Sequence, residues 1–298
     1  MLKLDEKKIR KGKPVGLPYV GSKKKISKKI VEIIKQNFGT DKTVYDVFGG
    51  GGAITAELMI NGVDVVYNDL DKTITDMFNH VLSQDREWIK TLIVSRDEFF
   101  RILAKDSKTV DDELKLLVNS FGNDRKTYLY GKEYSNFKYN LGVEIIKKDD
   151  VFSGYKKTEI YKNALINSKN NLKQLQQLKQ IQQLERLQQL ERLQQLQQSP
   201  KTINEDYNYF SDVKNSILYL DPPYENSANK YKLGKFDSSK FYDWAYEMSE
   251  RNMVIISSYE FIDDRFEEVF EFKGARSSLS AQGRGNQYEK LFMVKESN

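Results

Sequence analysis

Residues 44–69 read VYDVFGGGGAITAELMINGVDVVYND. The apolar run at 44–48 is typical of a buried strand, four glycines follow it, and residues 53–59 have the composition of a helix. A second apolar run at 63–67 ends in Asn68-Asp69. Strand, glycine turn, helix and strand in this order predict a βαβ unit, and therefore a parallel sheet of the α/β class.

The glycine loop suggests a binding site for a nucleotide or a related cofactor, because residues without a Cβ let the backbone approach a ligand closely. The loop has neither the Gly-Lys-Ser/Thr of a P-loop nor the spacing of a dinucleotide fingerprint. Asp69, at the end of the second strand, is well placed to bind ribose hydroxyls. A plain βαβ turn, with Asp69 or Asp71 as a helix cap, is the alternative for these residues alone.

A third apolar run, ILYL at residues 217–220, ends in Asp221-Pro222-Pro223-Tyr224. Ligands of open α/β sheets bind at the carboxyl ends of strands. The Asp221 carboxylate and the Pro222 carbonyl can accept hydrogen bonds from an exocyclic amine, and the prolines hold these acceptors rigidly. The Tyr224 ring offers a flat face on which a flipped base can stack. An ordinary proline turn after a strand remains the alternative for the tetrapeptide alone.

These motifs and their order resemble those of the Dam-type adenine-specific DNA methyltransferases of the Asp-Pro-Pro-Tyr class, which use S-adenosylmethionine as methyl donor. Residues 221–224 match the motif that names the class, and Phe48, Gly50 and Gly52 match its Phe-x-Gly-x-Gly motif. The N-terminal aromatic-lysine motif of the family matches YVGSK, residues 19–23, with Tyr19 where Trp is common.

The resemblance implies roles for individual residues. The catalytic residues would be Asp221, Pro222, Pro223 and Tyr224. The residues that bind S-adenosylmethionine would be Tyr19, Lys23, Phe48, Gly50, Gly52, Asp69, Asp206 and Tyr207. The activity would be site-specific transfer of a methyl group to the amine of a flipped-out adenine in double-stranded DNA.

The resemblance also implies a Rossmann-like methyltransferase sheet with an inserted, mainly helical target-recognition region. We expect residues 1–80 and 200–298 to form the catalytic domain, and residues 81–199 to form the insert. The C-terminal third fits this fold: we predict a helix at 238–250 and strands at 252–258, 266–272 and 289–294. The last two strands would form an antiparallel edge.

Charge is distributed unevenly along the chain. The net charge is +5, whereas residues 1–35 contain twelve Lys or Arg against three Asp or Glu. Such a basic segment would attract DNA phosphates. We predict that residues 1–13 are a solvated, partly disordered leader.

The chain has no cysteine and one histidine, His80. This composition excludes disulfides, cysteine nucleophiles, thiolate zinc sites and histidine triads, and we expect no metal. No apolar run approaches 18 residues and no secretory signal is evident. We therefore expect a soluble cytoplasmic protein, encoded by a bacterium or a phage, with no membrane partner.

Two loops carry residue types that contact DNA. Residues 96–105 and 111–121 have apolar residues at helical spacing. The segment that follows, residues 119–130 (NSFGNDRKTYLY), contains amide, basic and aromatic side chains. The candidates for DNA contact in these loops are Arg125, Lys126 and Tyr128, together with Arg276 and Arg284 from the Gly/Ser/Arg-rich loop 273–286. An ordinary polar hairpin is the alternative for 119–130, and a plain loop between strands for 273–286.

Residues 171–198 are of low complexity, with Leu or Ile at every third position and mostly Gln between them. Each step of three turns a helix by about 300°, so that no single face stays apolar and a leucine zipper is excluded. We favour a helix that acts as a length-variable spacer without chemistry. Binding of a partner through the leucines is the second interpretation.

Three other functions stay open on the sequence. In the first, the chain is still a methyltransferase but acts on the amine of cytosine or on RNA. In the second, it is a DNA-binding protein whose transferase site has decayed. In the third, the repeat itself carries an interaction function. The oligomeric state is also open, with a monomer as the simplest case.

Overall fold

The computed structural model describes residues 1–169, 172–223, 236–259, 263–276 and 288–295. The chain divides into two compact units. The sheet unit comprises Met1–Gly16, Gly21–Thr75 and Ser199–Asn298, and the helical unit comprises Leu17–Val20 and Asp76–Gln198. The division falls inside helix α3 (Lys72–Ser83).

A seven-stranded sheet forms the centre of the sheet unit. Its strands are β1 (Val44–Asp46), β2 (Val65–Asn68), β3 (Lys201–Ile203), β4 (Ile217–Leu220), β5 (Met253–Ser258), β6 (Phe266–Arg276) and β7 (Tyr288–Val294). The strand order is β3-β2-β1-β4-β5-β7-β6. The first five strands are parallel, and β7 pairs antiparallel with both β5 and β6. The predicted α/β class and antiparallel edge are confirmed, whereas β3 was not predicted.

Helices cover both faces of this sheet, which explains why its central strands are buried along most of their length and consist mainly of apolar residues. They are α1 (Ser27–Phe38), α2 (Ala53–Ile60) and α11 (Ser238–Ser249). Along β4, Ile217 and Tyr219 belong to the core that contains α1 and α2, while Leu218 and Leu220 belong to the core that contains α11. Alternate residues therefore enter opposite cores, as the pleat requires.

Residues 1–13 are mostly exposed, as expected of a solvated leader, but they make contacts with the rest of the sheet unit that the sequence did not predict. The Leu2 amide donates to the carbonyl of Val269 at 2.9 Å, and Leu2 and Leu4 pack against the core that contains α1. Arg10 makes two hydrogen bonds of 2.8 Å to the buried carboxylate of Glu57. Apolar burial and a bidentate ion pair thus hold a segment that composition alone marks as solvated.

The helical unit contains seven further helices among its described residues. These are α4 (Arg86–Lys90), α5 (Arg96–Leu103), α6 (Val110–Asn119), α7 (Lys132–Asp149), α8 (Glu159–Asn167), α9 (Leu172–Gln177) and α10 (Gln182–Gln194). In the part of α3 that lies in this unit, His80 is half-buried, with Nε2 2.8 Å from Asp111 Oδ1. Across the described ranges, no helix is long and apolar enough to cross a membrane.

The second half of the leucine repeat forms the buried helix α10, which overturns the interpretation of the repeat as a mere spacer. Leu184, Leu187, Leu190 and Leu193 of α10 are all fully buried, and no residue from 181 to 194 is exposed. A spacing of three carries the leucines around the helix. That pattern suits a helix that is covered on all sides rather than on one face.

Polar residues of the repeat are also integral to the fold. The buried amide of Gln183 donates to the side-chain oxygen of Asn119 and to the carbonyl of Val94. The guanidinium of Arg186 donates to the carbonyls of Val118 and Ser120, at the C-terminal end of α6. Unpaired carbonyls at a helix C-terminus attract a cation, so this contact stabilises the end of α6.

Candidate active site

The order in which the parallel strands are added to the sheet reverses between β1 and β4, which is the point where open α/β sheets bind ligands beyond the carboxyl ends of their strands. The glycine loop follows β1, and Asp221 follows β4. Because β1 and β4 are parallel neighbours, with Asp46 in register with Tyr219, both segments lie at the same edge. This is the position that the sequence predicts for a ligand site.

Steric constraints explain the glycines of the loop. Gly50 and Gly52 have φ of 48° and 67°, in the left-handed region that disfavours other residues, and Gly52 precedes α2. A Cβ on Gly49 would lie 2.5 Å from the ring of Tyr67. A Cβ on Gly16 would lie 3.1 Å from the Gly51 carbonyl oxygen. Motif matching singled out Gly50 and Gly52 but missed Gly49 and Gly16, whose need for glycine comes from contacts distant in sequence.

Asp69 holds the glycine loop. Its Oδ2 accepts a hydrogen bond of 2.8 Å from the Gly50 amide, and its Oδ1 accepts one of 2.8 Å from the Asp71 amide. Burial raises the pKa of Asp69 to about 6, and the two amides oppose that rise. A carboxylate has lone pairs beyond those that the two amides occupy, so Asp69 retains capacity to accept from hydroxyl donors.

A neighbouring asparagine joins three segments at this edge, and the sequence interpretation missed it. The Asn68 side-chain amide donates to the carbonyls of Val47 and Glu205, at 2.8 and 3.0 Å. Its oxygen accepts from the Glu205 amide at 3.0 Å. Asn68 therefore fixes the segment that contains Asp206 and Tyr207 beside the end of β1.

The structure brings Phe48 and Tyr207 together in an aromatic cluster. Their ring centroids are 6.3 Å apart, and both rings lie against Phe241 of α11, at 5.6 and 5.4 Å. Asp206 is exposed and begins the short helical turn Tyr207–Asp212, where its carboxylate accepts from the Asn208 amide. Two predicted cofactor-binding residues are thus adjacent, although they are distant in sequence.

Lys23 lies within contact distance of the Asp-Pro-Pro-Tyr segment. Its ammonium Nζ is 2.9 Å from Asp221 Oδ1 and 3.2 Å from Glu289 Oε1. Burial lowers the pKa of Lys23, but the carboxylates of Asp221 and Glu289 raise it more, so that it lies above the ordinary value. Lys23 therefore remains an ammonium at neutral pH and orients the Asp221 carboxylate.

Other predicted site residues are placed less completely. Pro222 is buried and Pro223 is half-buried, directly after Asp221. Tyr19 belongs to Leu17–Val20, in the helical unit. Tyr224 and Arg284 lie outside the described residues, as does the side chain of Arg276.

The prediction that Tyr128 contacts DNA was wrong. It is 4% exposed, its hydroxyl donates to the Val94 carbonyl at 3.0 Å, and its ring packs on Phe99. Apolar burial of the ring outweighed the polar composition around it. Lys126 is exposed, and half-buried Arg125 pairs with Glu113 at 3.0 Å. Both stand on a hairpin closed by an antiparallel bridge between Ser120 and Tyr128.

A buried acid lies beneath the site at the end of β1. Asp46 Oδ2 accepts from the backbone amide and the hydroxyl of Thr55, at 3.1 and 2.6 Å. Burial raises the pKa of Asp46 to about 7, the Thr55 hydrogen bonds oppose the rise, and the charges of Asp221 and Asp69 add to it. A buried carboxyl with such a pKa carries its proton through the mildly acidic range.

This shift predicts how stability depends on pH in the protein without ligands. In the unfolded chain Asp46 loses its proton near its ordinary pKa of 3.8, whereas in the folded protein it keeps the proton until about pH 7. The folded state binds more protons between these values, so the contribution of Asp46 to stability falls as pH rises through this window. The Asp46→Asn variant lacks this pH-dependent contribution. We therefore expect the difference in free energy of unfolding, variant minus wild type, to increase by about 2 kcal/mol from pH 5 to pH 8. Urea titrations at both pH values measure it, and a constant difference would contradict the prediction.

The described residues contain no group of three or more His, Cys, Asp or Glu side chains that could hold a metal ion.

Comparison with known proteins identifies the family. A family model described as D12 class N6 adenine-specific DNA methyltransferase matches residues 19–248, which is 230 of the 298 residues. The match includes the glycine loop, the helical insert and the Asp-Pro-Pro-Tyr segment.

Among solved structures, a putative methyltransferase, yhhF from Escherichia coli, is similar over 94% of this chain and 92% of its own length. The sequence identity is 9% and the TM-score is 0.35. No curated protein matches the chain. The family match confirms the resemblance seen in the motifs: the chain belongs to the D12 class N6 adenine-specific DNA methyltransferases.

Proposed function

We propose that this adenine-specific DNA methyltransferase uses S-adenosylmethionine and acts on an adenine that is flipped out of double-stranded DNA. The observation that carries the proposal is the pairing of Asp221 with buried Lys23, beside the glycine loop at the reversal of strand order. A rigid amine acceptor next to a loop that suits a nucleoside is what direct methyl transfer to an amine requires.

The residues at this edge fit S-adenosylmethionine. Gly50 and Gly52 let backbone approach the ligand, and Asp69 can accept from ribose hydroxyls while it holds the loop. Phe48 and Tyr207 supply an aromatic wall, with Asp206 beside it, and Lys23 completes the set in the sheet unit. Tyr19 stays a candidate from the family motif alone. When bound, the cofactor supplies an electrophilic methyl group.

The chain's own contribution to transfer is positioning and electrostatics. The Asp221 carboxylate and the Pro222 carbonyl accept the two hydrogens of the adenine amine, which directs its lone pair toward the methyl group. Tyr224 stacks on the base. Asp221 need not act as a strong base, because the methylated amine is acidic enough to lose its proton readily. No covalent intermediate with the enzyme is involved.

The helical unit is the candidate for target recognition, with Arg125 and Lys126 on its exposed hairpin. Arg276, Arg284 and the basic N-terminal segment would contact phosphates from the sheet unit. Such contacts make binding weaker at higher salt. The proposal includes a cytoplasmic location, where the enzyme meets its DNA, and a bacterial host or phage gene as its source.

The test is a methyl-transfer assay with the purified protein, methyl-labelled S-adenosylmethionine and unmethylated genomic DNA. Mass spectrometry of the nucleosides identifies the modified base, and sequencing of the labelled DNA locates it. We expect N6-methyladenine in one recurring short sequence. N4-methylcytosine, or label only in added RNA, would refute the adenine assignment. Cofactor binding without any transfer would favour a decayed site.

A further inference from the structure

We propose that Glu289 is a positioning residue for methyl transfer, which acts through Lys23 to keep the surroundings of the reacting amine negatively charged. The inference rests on the proposed function, in which Asp221 holds that amine. Glu289 lies in β7, outside the residues 19–248 that the family model matches. The sequence interpretation placed it in a strand and gave it no role.

The geometry links Glu289 to Asp221 through one ammonium group. Lys23 Nζ lies between Asp221 Oδ1, at 2.9 Å, and Glu289 Oε1, at 3.2 Å. Ser257, near the end of β5, donates its hydroxyl hydrogen to the same Oε1 at 2.7 Å. The Tyr259 ring lies alongside, with its centroid 5.6 Å from Lys23 Nζ. All five residues belong to the sheet unit.

The burial of this group is costly, and the cost points to a role beyond packing. Glu289 is fully buried and Lys23 is 8% exposed. A buried carboxylate is tolerated only when it is paired and hydrogen-bonded, and an apolar residue of similar size would often be as stable in its place. Asp221 alone already balances the charge of Lys23. A second carboxylate gives the three groups a net charge of −1.

That net charge matters for the reaction. As the methyl carbon bonds to the adenine amine nitrogen, its bond to the donor sulfur breaks, and one positive charge passes from sulfur to nitrogen. The nitrogen then releases a proton to water. An Asp221–Lys23 pair without Glu289 would be neutral and would stabilise this developing charge weakly. With Glu289 the surroundings are negative, which lowers the barrier to transfer.

Removal of the Glu289 charge tests this role. In Glu289→Gln we expect kcat to fall by about tenfold to a hundredfold, with KM for cofactor and for DNA within about twofold of wild type. Glu289→Asp, which keeps the charge, should recover much of the loss. The matched control is Glu268→Gln on the adjacent strand β6, where the carboxylate pairs with Lys290 at the surface. It should behave as wild type.

Other outcomes separate this role from a structural one. A kcat within twofold of wild type in Glu289→Gln, or equal losses in Glu289→Gln and Glu289→Asp with lowered melting temperatures, would overturn the proposal. If Glu289→Gln does not fold, Ser257→Ala is the alternative variant, because it removes only the hydroxyl that donates to Glu289 Oε1. We expect kcat of Ser257→Ala to fall by about threefold, and an unchanged kcat would overturn the proposal. Asp221→Ala is measured in parallel. Activity in Asp221→Ala would refute the proposed function, whereas an inactive Asp221→Ala beside a normal Glu289→Gln would refute this inference alone.

Discussion

Replacement of Asp221 by alanine is expected to lower kcat by at least about 1000-fold while the enzyme stays folded and still binds S-adenosylmethionine. The variant loses the carboxylate that we assign to the adenine amine. It does not leave Lys23 without a partner, because Glu289 Oε1 remains 3.2 Å from the ammonium. The cofactor-binding candidates on the glycine loop lie after a different strand and are unchanged.

The measurement combines single-turnover methyl transfer with calorimetric titration of the cofactor. Asp221→Asn keeps the shape of the side chain but removes its charge, and it should be impaired almost as severely. Asp41→Ala, an exposed acid before β1, is the control and should be as active as wild type. If Asp221→Ala kept more than about a tenth of the activity, the assignment of the site would be wrong.

The second large effect concerns the leucine repeat. In Leu187→Ala we expect the free energy of unfolding to fall by about 2–5 kcal/mol, because Leu187 is fully buried in α10 and its truncation leaves a cavity. The control is Gln195→Ala, which changes an exposed residue just after the same helix. It should alter stability by less than about 0.5 kcal/mol.

Urea unfolding followed by circular dichroism measures both variants. Equal stability of Leu187→Ala and wild type would restore the spacer interpretation. The same experiment bears on the partner-binding interpretation. Leucines that form the core of the helical unit are not available to a partner, and deletion of residues 182–194 should unfold that unit rather than remove an interaction.

The sequence predicted those parts of the fold in which local pattern and environment agree. The run at 217–220 is apolar at each position because both faces of β4 are covered. The run at 44–48, before the glycine loop, is mostly apolar for the same reason. The position of Asp221 beside that loop follows from the rule that ligands bind where strand order reverses. Six of the seven strands and the positions of the two motifs therefore follow from the sequence, whereas β3 does not.

The remaining features depend on contacts between distant residues. Leucine at every third residue predicts no lasting apolar face if only one side of a helix is buried, whereas no residue of α10 is exposed on any side. Tyr128 shares a polar segment with Lys126 but points into apolar surroundings. Glu289 and Leu291 occupy buried positions of β7, and an acid on the same face as a buried leucine is the local signal that could have marked it. Its partner, Lys23, is 266 residues away.

The central claim is that the target adenine meets the methyl donor at Asp221. A crystal structure of the enzyme with S-adenosylhomocysteine and a duplex that contains its target sequence tests this most directly. We expect the target adenine to lie outside the base stack, with N6 about 3 Å from both the Asp221 carboxylate and the Pro222 carbonyl oxygen. An adenine bound elsewhere on the protein, or N6 turned away from Asp221, would contradict it.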